Sequence, residues 1–515
     1  MSFFSSANRQ LKTHPYHIGA AVFFVALGAF FYWPFITAMP SGMHSWAQGD
    51  RLALAINFYD YGFDFWHPRT SSLVSIGGIT GVEFPIQAYL AALIGGVFGR
   101  DAINPAFRLL DIACALVGFF YLFRLVFERT GHFVAALLPA CFLLGSPVVG
   151  FYSGNYLPDP ASLALSFVGY YYWLRFIEHR LFRDMLVALA VLTLAALIKT
   201  TTALFLAAVL GLTLVWGFFE PPLMNGRQRR WFVGLAAVSV GLIVGYFLHN
   251  QALNTYYQSW QFLAQLMPIK DDDSLHTVTR AVRGWMWREY GTVTQYRMLL
   301  ASAALLFVFA RTNLRRFLPL VLLLLPALAI GYTFFWMMGE QLPIHDYYVI
   351  ASFVPAALLL LLLALLNLGR FGGWFRWVSS VGLAVLCFVL LRDGYKHLHQ
   401  RMEDDTYAWL QEGGARLDES GVPKKAMVLI LGTEVINTPL VYADRRGRTL
   451  SAVPADATPQ YLTELMARDS LEYVLMPQDF YTGMVQHHTT LPTAFAPVMQ
   501  QPFVVLRRLD MRQPW

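Results

Sequence analysis

Long apolar runs alternate with short polar connections along this chain. A membrane-spanning helix needs about 20 mostly apolar residues, with a range of about 17–25. Runs of that character lie at 16–36, 107–127, 133–150, 160–178, 185–198, 201–219, 231–250, 297–310, 317–337, 347–367 and 374–392. They predict an α-helical polytopic membrane protein of about eleven spans. The first run, too long for a signal-peptide core and followed by no small-residue cleavage pattern, reads as a signal anchor. Segment 84–99 is also apolar, but it is short and led by Glu83 and Pro85. It reads as an interfacial or re-entrant helix that returns to the side it came from.

A polar, aromatic-rich block from His44 to Glu83 lies between the first run and that short segment. Within it, Leu52, Ile56 and Tyr59 recur at helical spacing, which predicts an amphipathic surface helix over 51–61. After residue 395 the pattern changes. Short β-like runs appear at 427–431, 471–476 and 503–506, with helix-like stretches at 406–417 and 458–467. The division expected is a membrane domain over 1–395, with outer loops at 37–106 and 251–296, followed by a small α/β domain over 396–515. There are no internal repeats and no low-complexity tract, and Gly432 after a strand-like run is too little for a dinucleotide fingerprint.

Composition agrees with a membrane class. Of 515 residues 57% are hydrophobic and 14% charged, whereas a soluble chain carries about 25% charged residues. The net charge of +6 does not imply nucleic acid, because Lys and Arg collect in the cytoplasmic loops of membrane proteins. Cys114, Cys141 and Cys387 all lie in apolar runs and suggest neither a disulfide framework nor metal-ligand spacing.

Loop charges orient the spans. With Arg9 and Lys12 inside, the cytoplasmic loops hold Arg124 and Arg129, then Arg175, Arg180 and Arg183, then Arg227, Arg229 and Arg230, then Arg311, Arg315 and Arg316, then Arg370 and Arg376. The opposite loops hold Asp50, Glu83, Asp159, Asp271 to Asp273 and Glu340 to Asp346. That is a positive-inside pattern, and it requires 84–99 not to cross. The C-terminal domain is then expected outside.

Several residues on the outer side are candidates for chemistry, each with a plainer alternative. Asp50 is a solvated loop charge or a base held among Trp46, Phe58, Tyr59, Tyr61 and Trp66, aromatics that suit a membrane interface or a sugar- or prenyl-binding wall. Glu83 is a carboxylate favoured by a helix N-terminus, or a partner that orients Asp50, a substrate hydroxyl or a metal. Asp159 reads as a helix N-cap. Lys199 stands alone in a long apolar stretch, where it either snorkels to the interface or meets a phosphate. His345, Tyr347 and Tyr348 open a late span and could bind phosphate or sugar hydroxyls, although tyrosines at an interface are expected anyway. The acidic run Asp271 to Asp273 reads as solvated or as a metal site. Arg280 and Arg283 read as a solvated helix face or as a seat for an anion.

In their order these residues carry a resemblance. An anchor helix precedes His44, Trp46, Gln48 and Asp50; then come Glu83 and Pro85 opening a helix, Pro158 and Asp159 at a later span, Lys199 before threonines, and His345 with Tyr347 and Tyr348. Over roughly 16–392 the chain resembles the bacterial GT-C glycosyltransferases. It is most similar to the branch of protein O-mannosyltransferases and the aminoarabinose transferases of lipid A. Where some members carry a basic residue this chain has Ala47, and Arg51 follows the Asp instead.

The resemblance implies a polyprenyl-phosphate-linked sugar donor used on the periplasmic face of the bacterial inner membrane. The acceptor would be a glycan, lipid or protein. Asp50 would be the catalytic base of an inverting transfer, with Glu83 positioning it or the acceptor. Lys199, Arg280, Arg283, His345, Tyr347 and Tyr348 would serve the donor phosphate. His44, Trp46, Gln48, Arg51, Tyr59 and Asp159 would line the sugar or acceptor. A divalent cation, Mg or Mn, between Asp50 and Glu83 stays open. A lipid-linked glycan flippase or transporter, and a glycan polymerase or ligase, are the alternatives.

Overall fold

The computed structural model describes residues 10–219, 223–262, 265–403 and 406–509; Arg9 of the charge map lies outside them. The chain divides into two compact units. One comprises 1–36, 108–248 and 264–400; the other comprises 37–107, 249–263 and 401–515. The chain passes between them inside the helices Ile103–Thr130, Gly226–Tyr256 and Gly373–Met402. The boundary at 395 suggested by composition falls within the last of these helices.

The first unit is helical. Among the described residues five helices are long and apolar enough to cross a membrane: Pro15–Phe35, Arg100–Thr130, Gly226–Tyr256, Leu318–Met337 and Gly373–Met402. Asp272–Tyr290 and Val293–Val308, bent by 99°, make a sixth if they act as one span. Length and composition therefore support five or six spans, and do not confirm about eleven. Two of the expected runs are broken within their length. The run expected over 133–150 breaks where Ser146 caps a new helix with Pro147 in its first turn. The runs 185–198 and 201–219 form as Phe182–Ile198 and Ala203–Phe219, separate as expected, with extended backbone at Lys199 between them. The run over 347–367 breaks before Pro355.

Small residues let the helices approach. A Cβ on Gly118 would lie 2.6 Å from that of Ala164, and one on Gly169 would lie 2.5 Å from Leu192. Helix Gly226–Tyr256 exposes Val238, Leu242 and Leu248 to more than half their area. An apolar surface of that extent is ordinary against lipid and costly against water.

In the second unit five strands form one sheet: β1 (Met427–Leu431), β2 (Arg446–Leu450), β3 (Tyr473–Met476), β4 (Phe495–Met499) and β5 (Val504–Arg508), in the order β2-β1-β3-β5-β4. The β1–β2 and β1–β3 pairs are parallel, while β3–β5 and β5–β4 are antiparallel. Side chains of β1 alternate between two cores. Leu429 and Leu431 face Leu462, Met466 and Met484. Val428 and Ile430 face Leu417, Val422 and Leu440. The small α/β domain expected from the sequence is present, with β1 at the anticipated residues. The helix expected over 406–417 forms instead as the short turn Ala408–Leu410 and the helix Gly413–Glu419, separated by Glu412 at φ 58°.

The segment 37–107 belongs to this same unit. Its helix Ser45–Asp60, with His44 at the N-cap, starts six residues before the amphipathic helix expected. Ile86–Phe98 is a separate short apolar helix within the segment 84–99. Ser71 and Leu73 extend the edge of the sheet: Leu73 N donates to Gly447 O (2.8 Å) and Gly447 N donates to Ser71 O (3.1 Å). Only glycine fits at 447, since a Cβ there would lie 1.8 Å from Val428 O. Arg446 adds bonds to Tyr61 Oη (2.7 Å) and Gly77 O (2.6 Å).

Candidate active site

Asp50 sits in the second turn of helix Ser45–Asp60. That helix packs on the five-residue helix Thr438–Tyr442, which follows β1 and its loop. The approach is close because residue 49 is glycine: a Cβ there would lie 2.1 Å from Thr438 Oγ1 and 2.8 Å from its Cα. Thr438 Oγ1 donates to Ser45 O (3.0 Å), and Asn437 Nδ2 donates to Asp50 Oδ1 (2.8 Å). Asp50 is partly exposed at its surface but deep among protein atoms. Burial pushes its carboxyl up to about 6, against the lowering by the Asn437 hydrogen bond and the Arg51 charge. Such a group is ionised near neutral pH yet still basic enough to take a proton.

Arg51, the next residue, donates to Glu83 Oε2 at 2.6 Å and lies 5.0 Å from the Phe262 ring centre. Both partners are largely buried, with side chains 14% and 23% exposed. The charge-assisted bond commits Glu83 to Arg51. Among the described residues no group of three or more His, Cys, Asp or Glu is placed to hold a metal ion. With Glu83 held by a guanidinium, Asp50 and Glu83 do not fit a divalent cation site, so no step is assigned to one.

The other residues expected around Asp50 have varied surroundings. His44 precedes the helix in the left-handed region, at φ 52°, and stands edge-on to Trp46 with ring centres 6.0 Å apart. Gln48 is fully buried and donates to Ser41 O (2.9 Å) and Met43 O (3.1 Å), bracing the chain that enters the helix. Tyr59 is half-buried and stacks edge-on with Phe63.

A second polar group lies within the first unit. Asp159 is in the first turn of helix Pro158–His179, fully buried, with Lys199 Nζ at 3.3 Å. Leu157, and not Asp159, occupies the N-cap position. Pro158 fixes the start of the helix there and turns Asp159 inward. Lys199 does not snorkel. It stands at the break between Phe182–Ile198 and the turn Thr200–Thr202, 8% exposed. Ser162 Oγ bonds to Ala195 O (2.9 Å) and to Thr202, satisfying polar groups at that break. Lys199 Nζ lies 5.0 Å from the ring centre of Tyr348, and His345 stacks on that ring at 4.6 Å. Tyr347 meets Tyr152 edge-on, and Tyr152 Oη donates to buried Asp346 (2.8 Å). Thus Asp159, Lys199, His345, Tyr347 and Tyr348 come together.

Arg280 and Arg283 do not join that group. They are exposed on helix Asp272–Trp285. The acidic run before them is a helix start: Asp271 and Ser274 form a capping box, and Asp272 and Asp273 occupy the first turn.

Two residues escaped the sequence reading. Asn437 carried no signal, since nothing local links it to a residue 387 positions earlier. Arg108 did carry one, a charge at the start of an apolar run. It is 1% exposed, bonds to Gly154 O (2.9 Å) and Asn155, and lies 4.5 Å from the ring centre of Tyr156. It thereby braces the turn that precedes Asp159.

The fold and part of the sequence are shared with known proteins. The family model described as dolichyl-phosphate-mannose-protein mannosyltransferase matches residues 83–246. ArnT from Cupriavidus metallidurans, in a crystal structure bound to undecaprenyl phosphate, is similar with TM-score 0.62 and 15% identity, over 96% of this chain and 99% of that one. The Archaeoglobus fulgidus oligosaccharyltransferase, solved in complex with Zn and sulfate, gives TM-score 0.54 and 13% identity, over 93% of this chain and 71% of that one. Arabinofuranosyltransferase AftD from Mycobacteria gives TM-score 0.55 and 13% identity, over 99% of this chain and 42% of that one. No curated protein matches the sequence. At these identities the likeness to the three solved structures is one of fold. The family match covers 83–246, about a third of the chain, and marks a likeness to that family over those residues.

Proposed function

We propose that this protein is an inverting glycosyltransferase. It moves a sugar from a polyprenyl-phosphate donor to an acceptor hydroxyl on the periplasmic face of a bacterial inner membrane. The observation that carries the reading is Asp50: a carboxylate pushed up to about 6, with one oxygen held by Asn437. Among the described residues its other oxygen accepts from no protein donor, which leaves it for an acceptor hydroxyl. The fold shared with an ArnT structure bound to undecaprenyl phosphate supports the donor class.

In this reading Asp50 takes the acceptor's hydroxyl proton as that oxygen bonds to the anomeric carbon. The carbon–oxygen bond to the lipid phosphate breaks, and its electron pair leaves on the phosphate. A single displacement inverts the anomeric centre. Within the first unit, Lys199, its ammonium held by Asp159 and Tyr348, is a candidate to offset charge on a donor phosphate. Glu83 acts through Arg51, keeping that guanidinium beside Asp50. His345, Tyr347, Arg280 and Arg283 stay candidates for the donor, and His44, Trp46 and Tyr59 for the sugar or acceptor. The test is transfer from a polyprenyl-phosphate sugar by purified protein, with the product's anomeric configuration read by NMR. Retention of configuration, or full activity in folded Asp50→Asn, defeats the reading.

The helix break at Lys199 is also a feature that a transporter of lipid-linked glycans would use. Movement of labelled lipid across vesicles with no sugar transferred would favour that function.

A further inference from the structure

The C-terminal domain supplies a residue to the base. Asn437 is fully buried, and both ends of its amide are engaged. Its Oδ1 accepts from Ser72 N at 3.0 Å, and its Nδ2 donates to Asp50 Oδ1 at 2.8 Å. A backbone N–H only donates, so Ser72 fixes which end of the amide is oxygen. The nitrogen must then face Asp50. Among the described residues Asn437 is the sole hydrogen-bond donor to Asp50, because Arg51 is turned to Glu83. The placement is tight on both sides. Thr438, the next residue, bonds to Ser45 O, and Gly49, just before Asp50, leaves no room between the two helices. Asn437 also lies beyond the carboxyl end of parallel strand β1, where open α/β sheets gather their functional groups.

We propose that Asn437 is a positioning residue for catalysis: its amide aims the Asp50 carboxylate and sets that group's proton affinity, so the C-terminal domain is part of the transfer machinery. This rests on Asp50 being the base. The charged neighbours of Asp50 are Arg51 on its own helix and, beyond it, Glu83, which Arg51 neutralises. Neither contacts Asn437, so changing the amide leaves them in place.

The test uses the full chain and two variants. Asn437→Ala removes the donor. Asn437→Asp keeps the shape and the Ser72 contact but puts a carboxylate against Asp50. Asp50 is titrated without substrate by the infrared band of its protonated carboxyl, assigned by subtraction of Asp50→Asn. The pH profile of kcat/KM is measured alongside. The carboxyl is expected to titrate about 1 pH unit higher in Asn437→Ala and further up in Asn437→Asp. The acid limb of the rate profile should move with it, while the rate at high pH recovers to within about tenfold of the native value. An unmoved carboxyl titration in either folded variant overturns the role of Asn437. So does a uniform loss of rate at every pH with an unmoved limb, which is what a merely structural role would give. A carboxyl that moves while the rate profile stays fixed sinks Asp50 as base and leaves the Asn437 contact standing.

Discussion

Gly49→Ala tests whether the approach of the two helices, and not merely their presence, sets the site. In an open helix the change would stabilise by roughly 0.5–1 kcal/mol, because glycine loses more backbone freedom on folding. Here the new Cβ would meet Thr438 Oγ1 at 2.1 Å, its Cβ at 2.7 Å and its Cα at 2.8 Å. Rotating the threonine clears the hydroxyl but not the backbone carbon. The helices must therefore part by several tenths of an ångström or more. Overpacking of this kind costs about 1–3 kcal/mol, enough to outweigh the helix gain. The same displacement stretches the 2.8 Å bond from Asn437 to Asp50 toward the range where a hydrogen bond weakens steeply. The expected result is a lowered melting temperature in detergent and a transfer rate reduced by about tenfold or more, with an acid limb shifted upward. Thr438→Ala should recover little, since the Cα clash remains. A Gly49→Ala protein that melts at or above the native temperature and transfers at the native rate would refute the packing account.

Three other outcomes are expected. Ionisation of Asp50 should make the transfer rate rise as pH passes through about 6 and level off above it; a rate limb near 4 would contradict the raised carboxyl. The folded state holds that proton more tightly than the unfolded chain, whose carboxyl titrates near 3.8, so this group's contribution to stability declines as pH rises from about 4 to about 6. Asp50→Asn should accordingly narrow the difference in melting temperature between those two pH values. Lys199→Met should destabilise by about 3–5 kcal/mol, because buried Asp159 is left without its cation; Lys199→Met with Asp159→Leu should regain much of that stability in a denaturation series without regaining transfer. Asp271→Ala should lower the stability of its helix by about 1 kcal/mol by removing the cap, with no change in transfer or in its response to divalent ions; a changed ion response would revive the metal alternative for the acidic run.

Much of the architecture was legible because it depends on local pattern. The strand Met427–Leu431 and the helix Pro459–Arg468 sit where β-like and helix-like runs predict them. The helix Ile86–Phe98 is short, as its residue count requires. The count of spans was less legible, since Pro147 and Pro355 interrupt stretches that hydropathy alone treats as continuous. Candidate chemistry was legible wherever a charge is costly in its surroundings. Lys199 in an apolar run announces a partner, and Asp159 is that partner. The partner itself was not foreseeable, because a leucine took the N-cap expected of Asp159 and left the carboxylate to face inward.

The sequence by itself determined the membrane class, the helices, the small C-terminal sheet and the acids and cations that stand out against apolar neighbours. Each follows from side-chain periodicity or from the cost of burying a charge, and both are read within a few residues. Only the tertiary structure decided that 37–107 folds with 401–515, that Gly49 admits Thr438, that Arg51 takes Glu83, and that Asn437 holds Asp50. These depend on atoms meeting within a few ångströms across hundreds of residues, and no local pattern encodes such a meeting.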